Sequence, residues 1–182
     1  TYSMHQRQTM TAVVTGKPLA LGGSAGRRQA TGRGCKIVCD RAIEKLGMDK
    51  TKTRVIVQGF GNVGSNAAEL LAEDGYLVIG IDEYDGGILD PKGINIPELI
   101  AYRAKNRTIQ GFPGTRNLPA RELLGQECDI LVPAATENQI TSRNAASIKA
   151  KILCEGANGP TTPEGDDVFK TLGVLSGGER NR

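Results

Sequence analysis

The stretch RVIVQGFGNVGSNAAELL, residues 54–71, constrains the fold more than any other part of the chain. The β-branched run Val55, Ile56 and Val57 leads into Gly59, Gly61 and Gly64, and then into apolar residues at helical spacing. A G-x-G-x-x-G pattern alone is a weak signal of a nucleotide site. Here an apolar strand precedes it, a helix begins inside it, and Asp82 closes the next apolar run, YLVIGID, eighteen positions after Gly64. In that arrangement Gly59 permits a tight turn, Gly61 lets a pyrophosphate approach the backbone, and Gly64 lets the helix lie close on the strand. The pyrophosphate then sits on free N–H groups at the positive end of the helix dipole. The bland alternative is a strand–helix turn with no ligand; the context favours the dinucleotide.

Strand, helix and strand within so short a span make a βαβ unit with parallel strands and a right-handed crossover. The pattern repeats. Cys35, Val38, Cys39, Ala42, Ile43 and Leu46 form one helical stripe from Ala30 to Leu46, ended by Gly47. DGGILDPKG reads as a turn or hairpin, and Asn95 caps a helix with Pro97 in its first turn that runs to about Arg107. Residues 108–119 read as a loop, CDILVPAA as a buried strand, and TSRNAASIKA as a short helix capped by Thr141 or Ser142. KILCEGANG is again strand and turn. The last helix follows Thr161 or Thr162, with Pro163 near its start and Glu164 completing a capping box with Thr161, and a further strand begins at GVL, residues 173–175. The expected fold is α/β: a doubly wound, Rossmann-type parallel sheet in a single domain over residues 1–175, with 176–182 as a polar tail.

Composition removes several classes of function. Aromatics make up 4% with no Trp, and the net charge is only +3, which argues against a nucleic-acid surface. The cluster Arg27, Arg28, Arg33, Lys36 and Arg41 reads as a solvated helix face. No apolar run reaches bilayer length, so no membrane partner is expected. Cys35, Cys39, Cys128 and Cys154 form no C-x-x-C and no zinc-like quartet, and one His is present in the whole chain. Buried reduced thiols, no metal and a cytoplasmic location follow. Lys17 in TGKP lacks P-loop spacing and reads as structural.

Several blocks carry a more specific signal: VVTGKPLALGGSAGRRQATGRG, VIVQGFGNVGSNAAELL, GGILDPKGI, CDILVPAATENQIT and EGANGPTTPE. In order and over residues 1–175, they resemble the coenzyme-binding domain of the glutamate/leucine/phenylalanine/valine dehydrogenase family. The resemblance implies NAD(P)-dependent oxidative deamination of an amino acid to a 2-oxo acid and ammonia. It places Gly59, Phe60, Gly61, Asn62, Val63 and Gly64 on the pyrophosphate, and Thr31 and Asn158 beside the nicotinamide carboxamide. Ala134, Ala135 and Thr136 then line the nicotinamide ribose region, with Asn138 close by. From the residues alone, Thr31 reads rather as a helix cap and Asn158 as a left-handed turn residue, and only the resemblance turns both toward the coenzyme. The family usually has Glu where Gln29 stands, and often a small polar residue where Asp82 stands.

Asp82 points to NAD over NADP. A carboxylate accepts from both ribose hydroxyls and repels a 2′-phosphate, no arginine adjoins it in sequence, and Glu83 and Asp85 add to the repulsion. Lys92 is the nearby cation that softens the preference. In the resembled family the catalytic lysines and the substrate-binding segment precede the region matched here. The expectation is therefore a dinucleotide-binding half without catalytic residues of its own, meeting an amino-acid substrate only with a further domain. Full-length members of that family are homo-oligomers. A non-catalytic nucleotide-binding module or a chimeric scaffold is the alternative. The ending LSGGERNR resembles the signature segment of ABC-type ATPases, but no Walker A loop accompanies it, so a polar tail, truncated frame or fusion scar is expected.

Overall fold

The computed structural model describes residues 2–178. β1 (Arg54–Gln58), β2 (Leu77–Glu83), β3 (Gly86–Leu89), β4 (Arg116–Leu118), β5 (Ile130–Pro133), β6 (Ile152–Glu155) and β7 (Leu175–Gly178) form one sheet in the order β4-β3-β2-β1-β5-β6-β7. β2, β1, β5, β6 and β7 are parallel, and the β2–β3 and β3–β4 pairings are antiparallel. Successive side chains leave a strand on opposite faces. Val55, Val57, Ile130, Val132, Ile152 and Cys154 thus enter one core, while Ile56, Leu131 and Leu153 enter the other. Burial on both faces is why these strands read as continuous apolar runs.

The helices are α1 (Tyr2–Gln6), α2 (Ala30–Lys45), α3 (Asn62–Glu73), α4 (Ile96–Asn106) and α5 (Pro163–Leu172). The first core takes Cys39 and Ile43 from α2, Ala67 and Leu71 from α3, and Leu99 from α4. The second takes Phe169 from α5 together with Leu123 and Ile148. Helix ends follow their signals. Asn95 Oδ1 accepts the Glu98 N–H at 3.3 Å, and Gly47 and Gly75 adopt left-handed φ of +62° and +94° just past α2 and α3. All four cysteines are buried. Among the described residues no helix is long and apolar enough to cross a membrane.

Several details differ from the sequence reading. Val38 and Leu46 are 36% and 46% exposed, so the α2 stripe is narrower than expected. α2 lies tight against α3 at Gly32, where a Cβ would lie 2.8 Å from the Ala67 nitrogen. That contact turns the buried face toward Gly32, Cys39 and Ile43, leaving Val38 at its margin, while Leu46 lies past the helix end. Residues 141–150 form only a 3-10 turn, Ala145–Ser147, ahead of which Asn144 Oδ1 accepts the Thr141 N–H at 2.8 Å. Thr162 caps α5 through the Gly165 N–H at 3.2 Å, and the capping box expected from Thr161 is not formed. β4 lies inside the expected 108–119 loop, and the last strand runs to Gly178, beyond the expected domain end. Residues 179–182 of the expected tail lie outside the described residues.

Candidate functional site

From β1 the chain passes to β2 on one side, and later returns to place β5 on the other. Such a reversal of strand order opens a crevice beyond the carboxyl ends of the two central strands. Gly59 follows β1 directly and Ala134 follows β5. Gly59 has φ +87°, and a Cβ there would lie 2.8 Å from the Ala135 nitrogen and Cα. At Gly64 a Cβ would lie 1.8 Å from the Gly59 carbonyl oxygen, so α3 starts this close to the turn only with glycine. Gly61 is different. Its φ of −73° suits any residue, and a Cβ there would meet no protein atom within 4 Å. The fold itself demands glycine at 59 and 64, and not at 61.

Two hollows meet over this turn. One, of about 470 Å³, lies between Gly59–Gly61, the end of β2 at Asp82–Tyr84, Arg103, the Ala120–Arg121 segment and Ala134–Thr136. The other, of about 590 Å³, shares Ala134, Ala135 and Thr136 and adds Arg27, Thr31, Val63, Glu137 and the Gly156–Asn158 turn. Thr31 and Asn158, far apart in sequence, therefore line one hollow. Thr31 is the second residue of α2 rather than its cap. The left-handed turn position falls on Gly159, φ +55°, rather than on Asn158. Asn138, φ +54°, lines neither hollow; its backbone N–H donates to the Gly159 carbonyl at 3.1 Å and closes one loop on the other. Asn62 faces a separate hollow with Lys17 and Arg28, its amide donating to the Arg28 carbonyl at 3.2 Å. Lys17 itself donates to the Val14 carbonyl.

The electrostatics centre on two neighbouring acids. Asp82 is 2% exposed, and its two carboxylate oxygens accept the backbone N–H of Arg121 at 3.2 and 3.3 Å. Burial pushes its carboxyl up to about 6, despite the Arg121 hydrogen bond and charge, with Glu83 adding to the rise. Glu83 makes the contacts to the glycine turn. Its Oε1 accepts the Phe60 N–H at 2.6 Å and pairs with Arg103 Nη2 at 3.3 Å, while the Arg103 guanidinium lies 5.9 Å from the buried Phe60 ring. Lys92 does not line the hollow; Arg103 and Arg121 do.

One further atom marks the groove as a polar site. Gln58 is 3% exposed, its Nε2 donates to Gln139 Oε1 at 3.2 Å, and its own Oε1 is buried with no hydrogen-bond partner. An orphaned buried acceptor on the lining of an open groove is suited to a ligand hydroxyl or amide. With Gly61 open and no side chain capping α3, the residues fit a dinucleotide. Sequence reasoning missed Arg103, Arg121, Glu137 and Gln58, and weighed Glu83 only as a source of repulsion. A one-residue shift from Asp82 was the available signal for Glu83; none existed for the others.

Comparison with known proteins decides the family. The pattern of the glutamate/leucine/phenylalanine/valine dehydrogenases matches residues 22–179. The chain belongs to that family. It is 47% identical over 176 residues to a glutamate dehydrogenase of Thermotoga maritima, covering 96% of this chain and 42% of that one. It is 41% identical to an NADP-specific glutamate dehydrogenase of Synechocystis, covering 95% and 42%. Among solved structures, the leucine-bound hetero-hexameric glutamate dehydrogenase of Thermus thermophilus superimposes with a TM-score of 0.87 at 32% identity, covering 96% of this chain and 41% of that one. The Peptoniphilus asaccharolyticus glutamate dehydrogenase gives 0.76 at 36%, covering 96% and 40%. This family member thus spans about two-fifths of the length of the relatives it matches, and within that span its fold is theirs.

Proposed function

We propose that the chain is the coenzyme-binding part of a glutamate-dehydrogenase-like oxidoreductase and holds NAD across the groove. Gly61 carries this reading, because neither its backbone nor its neighbours require glycine, whereas a diphosphate passing over residues 59–64 does. The adenosine half lies in the hollow of Asp82, Glu83 and Arg121, and the nicotinamide half in the hollow of Thr31 and Asn158, with Ala134–Thr136 along the ribose between. Hydroxyl and amide groups at Thr31 and Asn158 suit a carboxamide and select the ring face presented. Glu83 replaces Asp82 as the carboxylate toward the adenine ribose, and its negative charge there favours NAD over NADP. Nicotinamide supplies the hydride acceptor for converting an amino acid to a 2-oxo acid and ammonia.

Substrate positioning and proton transfer need more than the described residues bring to the nicotinamide hollow, where the charged side chains are Arg27 and Glu137. Barriers of this kind are commonly lowered by about 10 kcal/mol or more through orientation, electrostatics and exclusion of water. In this reading the amino acid is bound together with residues outside this sequence, in an oligomer, as the Thermus relative's hexamer suggests. Titration of the ¹⁵N-labelled chain with NAD tests it. Amide shifts should concentrate at residues 59–64, 83, 134–136 and 158, and glutamate added to the same sample should yield no NADH. Shifts elsewhere, or none at millimolar NAD, would reject the groove as the coenzyme site.

A further inference from the structure

Sequence proximity makes the end of β2 purely acidic; the folded chain does not. Asp82 reaches 39 residues along the sequence to hold the backbone of Arg121. Arg121 has φ +69°, a left-handed conformation that arginine rarely adopts, and both oxygens of a buried carboxylate fix its N–H in place. The segment is also keyed down by Leu123. Its methyl groups fill the notch left by Gly80 and Gly87, where added Cβ atoms would lie 2.4 and 2.5 Å from them. Arg121 is exposed and lines the adenosine hollow, and among the described residues no ion pair engages its guanidinium. Across the same hollow Arg103 already offsets the charge of Glu83 at 3.3 Å.

We infer that Arg121 is the specificity-determining residue for the adenine ribose, giving the groove a place for a 2′-phosphate so that it accepts NADP as well as NAD. This rests on the coenzyme reading above and deepens it. A guanidinium presents two parallel N–H donors to a phosphate, an interaction that a ribose hydroxyl cannot match. Asp82 serves as a positioning residue. It fixes the backbone that presents the arginine, its own carboxylate is almost fully buried and held on that backbone N–H, and Arg103 leaves Glu83 less able to repel the phosphate.

Calorimetric titration of the 182-residue chain with NAD and with NADP at physiological salt tests this, using the wild type and Arg121→Gln, which keeps the backbone N–H that Asp82 requires. The expected result is NADP binding within about tenfold of NAD in the wild type. Arg121→Gln should then lower NADP affinity at least about tenfold while changing NAD less than about twofold. A wild type that binds NAD and refuses NADP overturns the inference and leaves the coenzyme reading standing. Equal losses for both coenzymes also overturn it, since Arg121 would then touch the adenine or diphosphate they share. A wild type that binds neither overturns both.

Discussion

Two buried aspartates, one near each end of the central strands, are treated in opposite ways. Asp129, just before β5, accepts the Arg54 N–H at 2.9 Å and receives Arg54 Nε and Lys151 Nζ at 3.3 and 3.2 Å. Burial pushes its carboxyl up, but these partners outweigh burial and hold it below the usual range. Nearby charges follow the same plan. Asp74, at the end of α3, is drawn down to about 2 by Lys36 and then Lys50, and Lys50 also pairs with Asp40 of α2. At the groove end, Asp82 has one backbone N–H, and burial wins. Where β1 and β5 begin, the buried acid is answered by Arg54 and Lys151. Where they end, an acid is left under-neutralised, an amide oxygen on Gln58 unpaired and a glycine without internal cause. The difference separates what the fold needs from what it leaves open at the groove.

The largest expected break in that contrast is at the turn itself. Gly64→Val forces a side chain against the Gly59 carbonyl, so α3 must back away from β1. A loss of about 3 kcal/mol or more in urea-unfolding free energy is expected, together with loss of NAD binding. Stability within about 0.5 kcal/mol of wild type would show that the close approach is not needed.

The two aspartates should then respond to pH with opposite signs. Asp129 has a lowered folded pKa, so its contribution is present above about pH 4 and is lost as pH falls through the folded value. Asp129→Ala leaves the part-buried Arg54 N–H without its acceptor and should cost about 2 kcal/mol at pH 7, with the exposed Lys151 contributing little. Asp82 has a raised pKa, so its ionisation destabilises the fold above about 6, and the penalty fades between about 6 and 4 as the pH falls. Asp82→Asn keeps an acceptor for the Arg121 N–H and removes the charge. It should gain about 2 kcal/mol at pH 8 and nothing near pH 4. Denaturation of the three proteins across that range checks both signs, and a destabilised Asp82→Asn at pH 8 would mean the groove acid is internally satisfied after all.

Much of this was readable in the sequence because the determining forces are local or periodic. β1, β2, β5 and β6 are apolar runs buried on both faces, and Gly47 and Gly75 stop their helices through backbone conformation alone. β4 was not readable. It has three residues, two of them exposed, and exists through its pairing with β3. At the groove, the glycines declared themselves by spacing, but choosing between Asp82 and Glu83 requires knowing which face of β2 lies under the turn, and one residue reverses the answer. Arg103 arrives on α4 and Arg121 on a segment docked by Leu123. Neither has a local signal, which is why an acidic stretch concealed a groove lined by two arginines.

Gly61→Val tests the central claim most directly, since position 61 is where the needs of fold and ligand separate. Nothing in the chain lies within 4 Å of the added Cβ, and the backbone there suits valine. Thermal unfolding and NAD calorimetry on the same preparation should show a melting temperature within about 2 °C of wild type and an NAD affinity reduced at least about tenfold. An unchanged affinity in a folded Gly61→Val chain would contradict the account, because the diphosphate would then lie somewhere other than over this turn.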